Sequence, residues 1–126
     1  MEFEVTTVDQ IEVRDVTDRV ADTLAADAAG TCTVFVEHTT AGLCLNEAEP
    51  RLLEDIESFV GSLAPSTGWR HDEIDDNADA HLRSMLLGSS VTVPVSDGRL
   101  DLGTWQSVLL VECDGPRTRH VRVLGP

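Results

Sequence analysis

The first third of the chain combines patterns typical of strands with a pattern typical of a helix. Residues 3–8 (FEVTTV) are rich in β-branched residues, and we expect this strand to continue through Ile11 and Val13. Residues 16–28 have an apolar residue at every fourth position, which is helical spacing, and Gly30 would end that helix. The predicted order at the start of the chain is therefore a strand followed by a helix.

The next segment, TCTVFVEH at residues 31–38, predicts a strand with a histidine at its end. Cys32, Val34 and Val36 fall on one face because successive side chains of a strand point to opposite faces. His38 shares the parity of these three residues. We therefore expect His38 to point toward the core side, which is an uncommon position for a solvent-exposed histidine.

Two later segments have the apolar spacing of amphipathic helices. Segment 48–63 (AEPRLLEDIESFVGSL) has Pro50 at a position suited to the first turn. Its apolar stripe would consist of Leu52, Leu53, Ile56, Phe59 and Val60. After a polar, irregular stretch, segment 77–88 (NADAHLRSMLLG) predicts a helix capped by Asn77 or Asp79. Its packed face would comprise Leu82, Met85 and Leu86.

The pattern changes to strands after Gly88. Residues 90–103 are typical of a hairpin with the turn SDGR, and residues 105–124 of a second hairpin with the turn DGPR. The run Val108–Val111 is apolar on both faces, as expected for a central strand that is covered on both sides. Together the elements predict a single α+β domain over residues 1–126, with about three helices packed on a mostly antiparallel or mixed sheet.

Composition adds an unusual charge balance to this picture. The chain has 126 residues, of which 41% are hydrophobic, enough for one modest core. It has 23 acidic residues against nine arginines and no lysine, for a formal net charge of −14. Such a charge repels itself in dilute buffer and is screened by salt. The pattern resembles proteins of halophiles that accumulate salt, and it disfavours binding to nucleic acid or to anionic membranes.

The sequence predicts neither a membrane span nor a disulfide framework. No apolar run approaches the length of a span, and the N-terminal MEFEVTTVDQ is acidic where a signal peptide needs positive charge. Cys32, Cys44 and Cys113 are too few and too scattered for a disulfide framework or a CxxC metal site. We therefore expect core thiols in a soluble, cytoplasmic protein.

Candidate chemistry centres on three of the four histidines. His38 ends a strand, His71 lies in the polar loop, and His81 lies in the first turn of a helix. These places can meet in a small domain, and three neutral imidazoles with an open position form a known catalytic zinc arrangement. The alternative is that His71 and His81 are ordinary loop and helix-surface residues, because no HExxH motif is present. His120 shares a strand face with the polar residues Thr118 and Arg122, so it is expected at the surface.

Arg117 and Arg119 are candidate anion ligands in a chain with few cations. They follow a DGP turn and share a strand face, from which they could bind a carboxylate or a phosphate. Glu112 ends the apolar strand on the same face as Val108 and Leu110, so we expect it to be partly buried. It is a candidate general acid or base. The alternative is a structural ion pair between Glu112 and one of these arginines.

Four segments of the chain together resemble the YjbQ family. They are HTTAGLCLNEAEP (38–50), RHD (70–72), DNADAHLRSMLLGSSVTVPVSDGRLDLGTWQ (76–106) and ECDGPRTRHVRV (112–123). The resemblance runs from about Val34 to the end of the chain with order and spacing intact, and motifs of this length are specific. Members of the family are known as secondary thiamine-phosphate synthases or are uncharacterised. The missing lysines indicate a haloarchaeal member.

The resemblance implies a compact α+β domain that assembles as a homotrimer, with sites near the subunit boundaries. It implies that His38, His71 and His81 bind one divalent transition metal, which we expect to be zinc. It also carries over Asn77, Glu112, Arg117 and the motif GTWQ. Together with the residues singled out above, we expect Asn77 and Glu112 to be catalytic groups and Thr39, Thr40, Thr104, Gln106, Arg117 and Arg119 to be anion-binding groups.

The implied activity is that of a metal-dependent enzyme, a transferase or a hydrolase, acting on a small phosphorylated or anionic substrate. Thiamine-phosphate synthesis expels pyrophosphate, a leaving group that Mg²⁺ and cationic side chains normally stabilise. Three imidazoles favour a transition metal instead, so we expect the thiamine-phosphate synthase activity to be secondary. The alternative is a noncatalytic trimer that binds a metal or an anion, or that serves as a scaffold for a partner enzyme.

Overall fold

Eight strands divide between two antiparallel sheets in the computed structural model, which describes residues 1–126. The strands are β1 (Glu2–Thr6), β2 (Glu12–Asp15), β3 (Gly30–Val36), β4 (Ala41–Asn46), β5 (Ser90–Ser96), β6 (Arg99–Leu100), β7 (Ser107–Glu112) and β8 (Thr118–Leu124). The helices are α1 (Thr17–Ala21), α2 (Pro50–Ser62) and α3 (Ala78–Leu87), with a short 3-10 helix at Arg70–Glu73. The larger sheet has the order β1-β8-β3-β5-β6 and the smaller one β2-β7-β4. The predicted α+β class is confirmed.

The smaller sheet is covered by the larger sheet on one face and by helices on the other. Val108 and Leu110 of β7 belong to the main core, which they share with residues of β3, β5 and β8. Leu109 and Val111 point the opposite way and join a second core that includes Val60 of α2. All four residues of the run are fully buried, so the prediction of a central strand covered on both sides is confirmed.

The first two strands belong to different sheets, so the predicted continuous strand from residue 3 to residue 13 is wrong. β1 pairs with β8, whereas β2 pairs with β7. Between the two strands, the Glu12 carboxylate accepts the amide N–H groups of Val8 and Asp9 at 2.6 and 2.7 Å. This carboxylate fixes the turn that carries the chain from one sheet to the other, because it satisfies amides that a continuous strand would pair.

The first helix is much shorter than its apolar spacing predicts. It spans only Thr17–Ala21, and Gly30 begins β3 instead of ending a helix. Residues 25–28 lie against the tight turn of the β5–β6 hairpin, whose Gly98 amide donates to the Ala28 carbonyl at 2.9 Å. A Cβ at Gly98 would lie 2.5 Å from the Ala26 carbonyl oxygen, so this packing requires glycine.

No helix of the structure is long and apolar enough to cross a membrane.

The strands that flank the DGPR turn also separate into different sheets. The second predicted hairpin is wrong, because β7 lies in the smaller sheet and β8 in the larger one. The Gly115 amide in the crossing segment donates to the Gln10 carbonyl at 3.0 Å, and a Cβ there would lie 2.1 Å from the Asp9 carbonyl oxygen. The first predicted hairpin, β5–β6, is confirmed. β4 is not predicted by the sequence patterns described above.

Helix α3 packs through a face of alanines and polar residues, which differs from the predicted packed face, although Leu82 of that face is partly buried. Met85 and Leu86 are 70% and 66% exposed, whereas Asp79, Arg83 and Ser84 are buried. Arg83 pairs with Asp79 and donates two further hydrogen bonds to backbone carbonyls near the end of α2, and Ser84 Oγ donates to a β4 carbonyl at 2.7 Å. Apart from Arg83 Nε, the buried polar groups of Asp79, Arg83 and Ser84 thereby have partners, which makes burial of this face possible.

Most of the acidic residues remain accessible to solvent, and this predicts a stability that rises with salt. Only Glu12, Asp79 and Glu112 of the 23 acids are buried. We expect the Tm to increase as NaCl rises from about 0.05 to about 1 M, where the screening length falls to about 3 Å. Circular dichroism melts would measure this, with sucrose as a control for solute exclusion from the protein surface. A Tm that does not change with NaCl would contradict the prediction.

Candidate histidine site

A surface cavity of about 610 Å³ lies where the end of β3 meets one face of α3. It is lined by Phe35, Val36, Glu37, His38, Thr39, His81, Ser84, Met85, Gly88 and Ser89. β3 ends at Val36, whose amide donates to the Ser89 carbonyl at 2.9 Å. His81, Ser84 and Met85 reach the cavity together because residues three and four positions apart share a helix face.

His38 is held against β8 rather than against the other two candidate ligands. Its Nε2 accepts the backbone N–H of His120 at 2.9 Å. The two imidazole rings are stacked, with their centroids 5.7 Å apart. Burial, followed by the positive charges of Arg119 and His120, lowers the pKa of His38, so its neutral form is favoured. His120 is half-exposed as expected, but its contact with His38 was not foreseen.

His71 and His81 form a close pair beside this cavity. Their ring centroids are 4.9 Å apart with the rings edge to face. His71 is positioned by the 3-10 helix, and its Nε2 is buried with no hydrogen-bond partner. Both rings line a smaller cavity of about 340 Å³ together with Trp69, Arg70, Ala78 and Leu82. His81 thus lies between two cavities, one shared with His38 and the other with His71.

The structure brings the three predicted metal ligands to one region without joining them in one cluster. No group of three or more His, Cys, Asp or Glu side chains is arranged to hold a metal ion. His71 and His81 are in contact, whereas His38 makes its hydrogen bond to β8. The fit to a transition metal therefore rests on the His71–His81 pair, in which one buried nitrogen has no partner. The three-imidazole site remains a prediction.

Glu112 and Arg119 form a buried ion pair between the two sheets. Arg119 binds both carboxylate oxygens of Glu112 and also donates to the hydroxyl and the carbonyl of Thr40 at 2.8 and 3.0 Å. Thr7 completes the network with a 2.7 Å hydrogen bond to Glu112. Neither charged residue lines the histidine cavity. Their arrangement matches the structural alternative considered from the sequence, and it leaves Glu112 poorly placed as an acid or base.

Asn77 and Arg117 meet at a separate, polar cavity of about 380 Å³. Both donate to Asp114 Oδ2, at 2.8 and 2.9 Å respectively. Asp75 and Asp76 line the same cavity, so the Arg117 charge is surrounded by carboxylates. This position does not favour the predicted anion-binding role of Arg117, and it places Asn77 away from the large histidine cavity.

Of the four polar residues predicted to contact an anion, only Thr39 lines the histidine cavity. Thr40 is buried against Arg119. Thr104 lines another surface cavity, together with Glu47 and Glu49 among others. Gln106 accepts the Gly103 amide N–H at 2.8 Å and so belongs to the turn before β7. The motif GTWQ therefore lies apart from the histidines within one chain.

Sequence reasoning missed Glu37, Ser84, Met85 and Ser89 in the cavity lining, and also His120, which contacts His38. Ser84 lies three positions after His81, so helical spacing alone could have placed it on the same face. Met85 falls on the face that apolar spacing predicts to be packed, yet it is 70% exposed. The contact between His120 and His38 depends on the pairing of β3 with β8, a long-range feature that no local motif records.

These features define an α+β domain with two antiparallel sheets and a histidine-lined cavity between a strand end and a helix. The family model described as "UPF0047 protein YjbQ-like" matches residues 1–124. A UPF0047 protein of Archaeoglobus fulgidus is 48% identical over 124 residues, which are 98% of both chains. The chain therefore belongs to the YjbQ-like UPF0047 family.

Solved structures agree with this assignment along the whole chain. A hypothetical protein of Aeropyrum pernix K1 has a TM-score of 0.95 and 46% sequence identity, covering 100% of this chain and 96% of that chain. A YbjQ-like protein from Sulfolobus solfataricus P2 has a TM-score of 0.91 and 42% identity, covering 98% and 92%. The Sulfolobus protein is described as having unknown function.

Proposed function

We propose that this protein is a metal-assisted enzyme that acts on a small phosphorylated substrate at the histidine site. In this proposal His71 and His81 bind a divalent transition metal, which we expect to be zinc. The observation that carries the proposal is the buried, unpartnered Nε2 of His71 next to the His81 ring. A buried imidazole nitrogen without a partner is costly unless a ligand satisfies it.

The residues around the pair support this choice of metal and substrate. Imidazole nitrogens favour zinc and neighbouring transition metals over Mg²⁺, which prefers oxygen ligands. A bound metal of this kind would polarise a phosphoryl or carbonyl oxygen. The hydroxyls of Thr39 and Ser89 line the adjacent cavity and can donate to phosphate oxygens. We propose thiamine-phosphate synthesis as a secondary activity only, because the larger cavity has no arginine in its lining and the smaller one has a single arginine, Arg70, to stabilise a diphosphate leaving group.

Metal content tests the proposal directly. We expect zinc or another transition metal in protein purified without chelator, measured by mass spectrometry, and loss of that metal in His81→Ala, which removes half of the imidazole pair. His120→Gln is the matched control, since His120 contacts His38 and not the pair. Full metal content in His81→Ala, or no uptake by the wild type during zinc titration, would contradict the proposal.

The expected homotrimer is part of the same proposal. Met85 lines the cavity and Leu86 follows it on α3, and both are mostly exposed to solvent. Exposed large apolar residues beside a site are typical of surfaces that contact another chain. A neighbouring copy could also supply further ligands, because catalytic zinc sites usually have three protein ligands.

We expect a solution mass of three times 13.7 kDa by light scattering after size-exclusion chromatography. Leu86→Glu should reduce the fraction of trimer, because it introduces a charge into an apolar contact. Wild-type protein with the mass of one chain across the concentration range would contradict the homotrimer.

A noncatalytic role as a metal- and anion-binding protein or as a partner scaffold is the second candidate. The observation in its favour is that Glu112, the predicted acid or base, is occupied by Arg119 and does not reach the cavity. The two candidates differ in turnover. Binding of zinc and phosphate without hydrolysis or transfer on any phosphorylated compound in a broad panel would favour the noncatalytic role.

A further inference from the structure

We propose that His38 acts in this site as a neutral hydrogen-bond donor through Nδ1–H to an anionic oxygen, and not as a metal ligand. This assignment departs from the three-histidine metal site that the sequence predicts. It deepens the proposed function, and it rests on that function only for the phosphorylated nature of the ligand.

The hydrogen bond between His120 and His38 fixes the tautomer of the imidazole. A backbone N–H can only donate, so the Nε2 atom that it reaches at 2.9 Å must present a lone pair. Neutral imidazole has one N–H, which must then be on Nδ1. In this arrangement neither nitrogen of His38 has a free lone pair. Metal coordination through Nε2 would break the hydrogen bond, and coordination through Nδ1 would require the proton to move to Nε2, facing another N–H.

The backbone of β8 makes this arrangement hard to displace. β3 and β8 pair as far as Val36 and Val121, and the Glu37 amide then donates to the His120 carbonyl at 3.2 Å. If the strands continued to pair, the His120 amide would donate to a backbone carbonyl of the neighbouring strand. It donates to His38 Nε2 instead. On its other edge His120 is opposite Glu4 of β1. Loss of the His38 contact would leave a part-buried amide without its acceptor, which is costly.

The local charges also favour a neutral ring. Burial and the nearby Arg119 and His120 lower the pKa of His38, whereas Glu112 and Glu37 act in the opposite direction. A neutral imidazole with a fixed Nδ1–H can donate to an anion without carrying a charge itself.

The lining of the cavity fits an anion held by neutral donors. Glu37 is the only carboxylate in the lining, and its charge is partly balanced by Arg122 at 3.3 Å. Thr39 and Ser89 contribute hydroxyls next to His38. Phosphate oxygens are commonly bound by such neutral hydroxyl and N–H donors, including where no cationic side chain is present. His38 would therefore contact the phosphoryl group in a cavity that it shares with His81, whose ring contacts His71.

Two-bond ¹H–¹⁵N correlation spectra of the histidine side chains test the tautomer in the intact protein. We expect His38, assigned from the signals lost in His38→Gln, to show the Nδ1–H pattern at neutral pH, and zinc to perturb His71 and His81 but not His38. An Nε2–H pattern, or a zinc-dependent shift at His38 comparable to that of His81, would overturn the assignment. If zinc perturbs no histidine, the metal proposal fails while the Nδ1–H pattern still supports the assignment.

Titration with inorganic phosphate tests the donor role separately. The Asn amide nitrogen occupies the place of Nδ1, whereas the Gln amide oxygen can only replace Nε2 as the acceptor for His120. We expect His38→Gln to bind phosphate about tenfold more weakly, and His38→Asn to retain more of the affinity, because one hydrogen bond to a charged group is lost only in the Gln variant. Wild-type affinity in His38→Gln, or no phosphate binding by the wild type, would overturn the donor role.

Discussion

Glu112→Gln should lower the free energy of unfolding by about 3–5 kcal/mol, because it leaves the Arg119 charge buried without its counter-charge. The side chains of Glu112 and Arg119 are 0% and 2% exposed, so water cannot take the place of the missing carboxylate. The substitution keeps the size and shape of the side chain. Its effect therefore reports the charge and not a cavity. Urea unfolding at constant salt would measure it.

A double variant distinguishes the effect of the unpaired Arg119 charge on stability from the effect of the other lost hydrogen bonds. Glu112→Gln combined with Arg119→Met should recover part of the lost stability, because no uncompensated charge then remains in the core. Glu54→Gln on the exposed face of α2 is the control and should change stability by less than about 0.5 kcal/mol. A loss below about 1 kcal/mol in Glu112→Gln would mean that the pair is reached by solvent in solution, contrary to its burial here.

Arg83→Met should destabilise the protein by a similar amount, about 3–5 kcal/mol, because it leaves the Asp79 carboxylate buried without its partner. The same guanidinium donates to the carbonyls of Gly61 and Ala64 at 2.9 and 2.8 Å, and so joins α3 to the end of α2. The free energy of unfolding of Arg83→Lys should lie between those of Arg83→Met and the wild type. An ammonium group keeps the charge but cannot reproduce the planar set of donors.

An exposed arginine on the neighbouring helix provides the comparison. The Arg51 side chain is 90% exposed and pairs with Glu49 at 2.7 Å, so Arg51→Met should cost no more than about 1 kcal/mol. Chemical denaturation of Arg83→Met, Arg83→Lys and Arg51→Met at one salt concentration would measure the three free energies of unfolding. Equal losses for Arg51→Met and Arg83→Met would show that the contacts of Arg83 do not contribute beyond those of a surface ion pair.

Apolar periodicity correctly predicted the elements whose buried face can be recognised from their own residues alone. The buried face of β3, the helix beginning at Pro50 and the doubly covered β7 follow directly from apolar spacing. Periodicity does not record which strand pairs with which. For this reason the separation of β1 from β2, and of β7 from β8, could not be foreseen.

The orientation of α3 could not be foreseen for a different reason. Apolar spacing favours the face that contains Met85 and Leu86, whereas the buried face contains Asp79 and Arg83. A polar face can be buried when its groups are satisfied by specific partners, and those partners come from α2 and β4, far away in the sequence.

Of the predicted site residues, only His38, Thr39, His71 and His81 line the two histidine cavities, and the others lie elsewhere in the fold. His71 and His81 lie together as expected, and the ion pair that was considered for Glu112 is present with Arg119. The position of His38 against β8 depends on where β3 stops pairing, which the sequence does not mark.

The pairing of the first two strands with the last two has a consequence for synthesis. β1 and β2 lie within residues 2–15, yet their only strand partners are β8 and β7, which lie within residues 107–124. On the ribosome these two strands must therefore wait, unpaired, until β7 and β8 emerge, and neither sheet can be completed before then. Long-range closure of this kind slows folding, which makes assembly of this domain a late event that follows translation of residues 107–124.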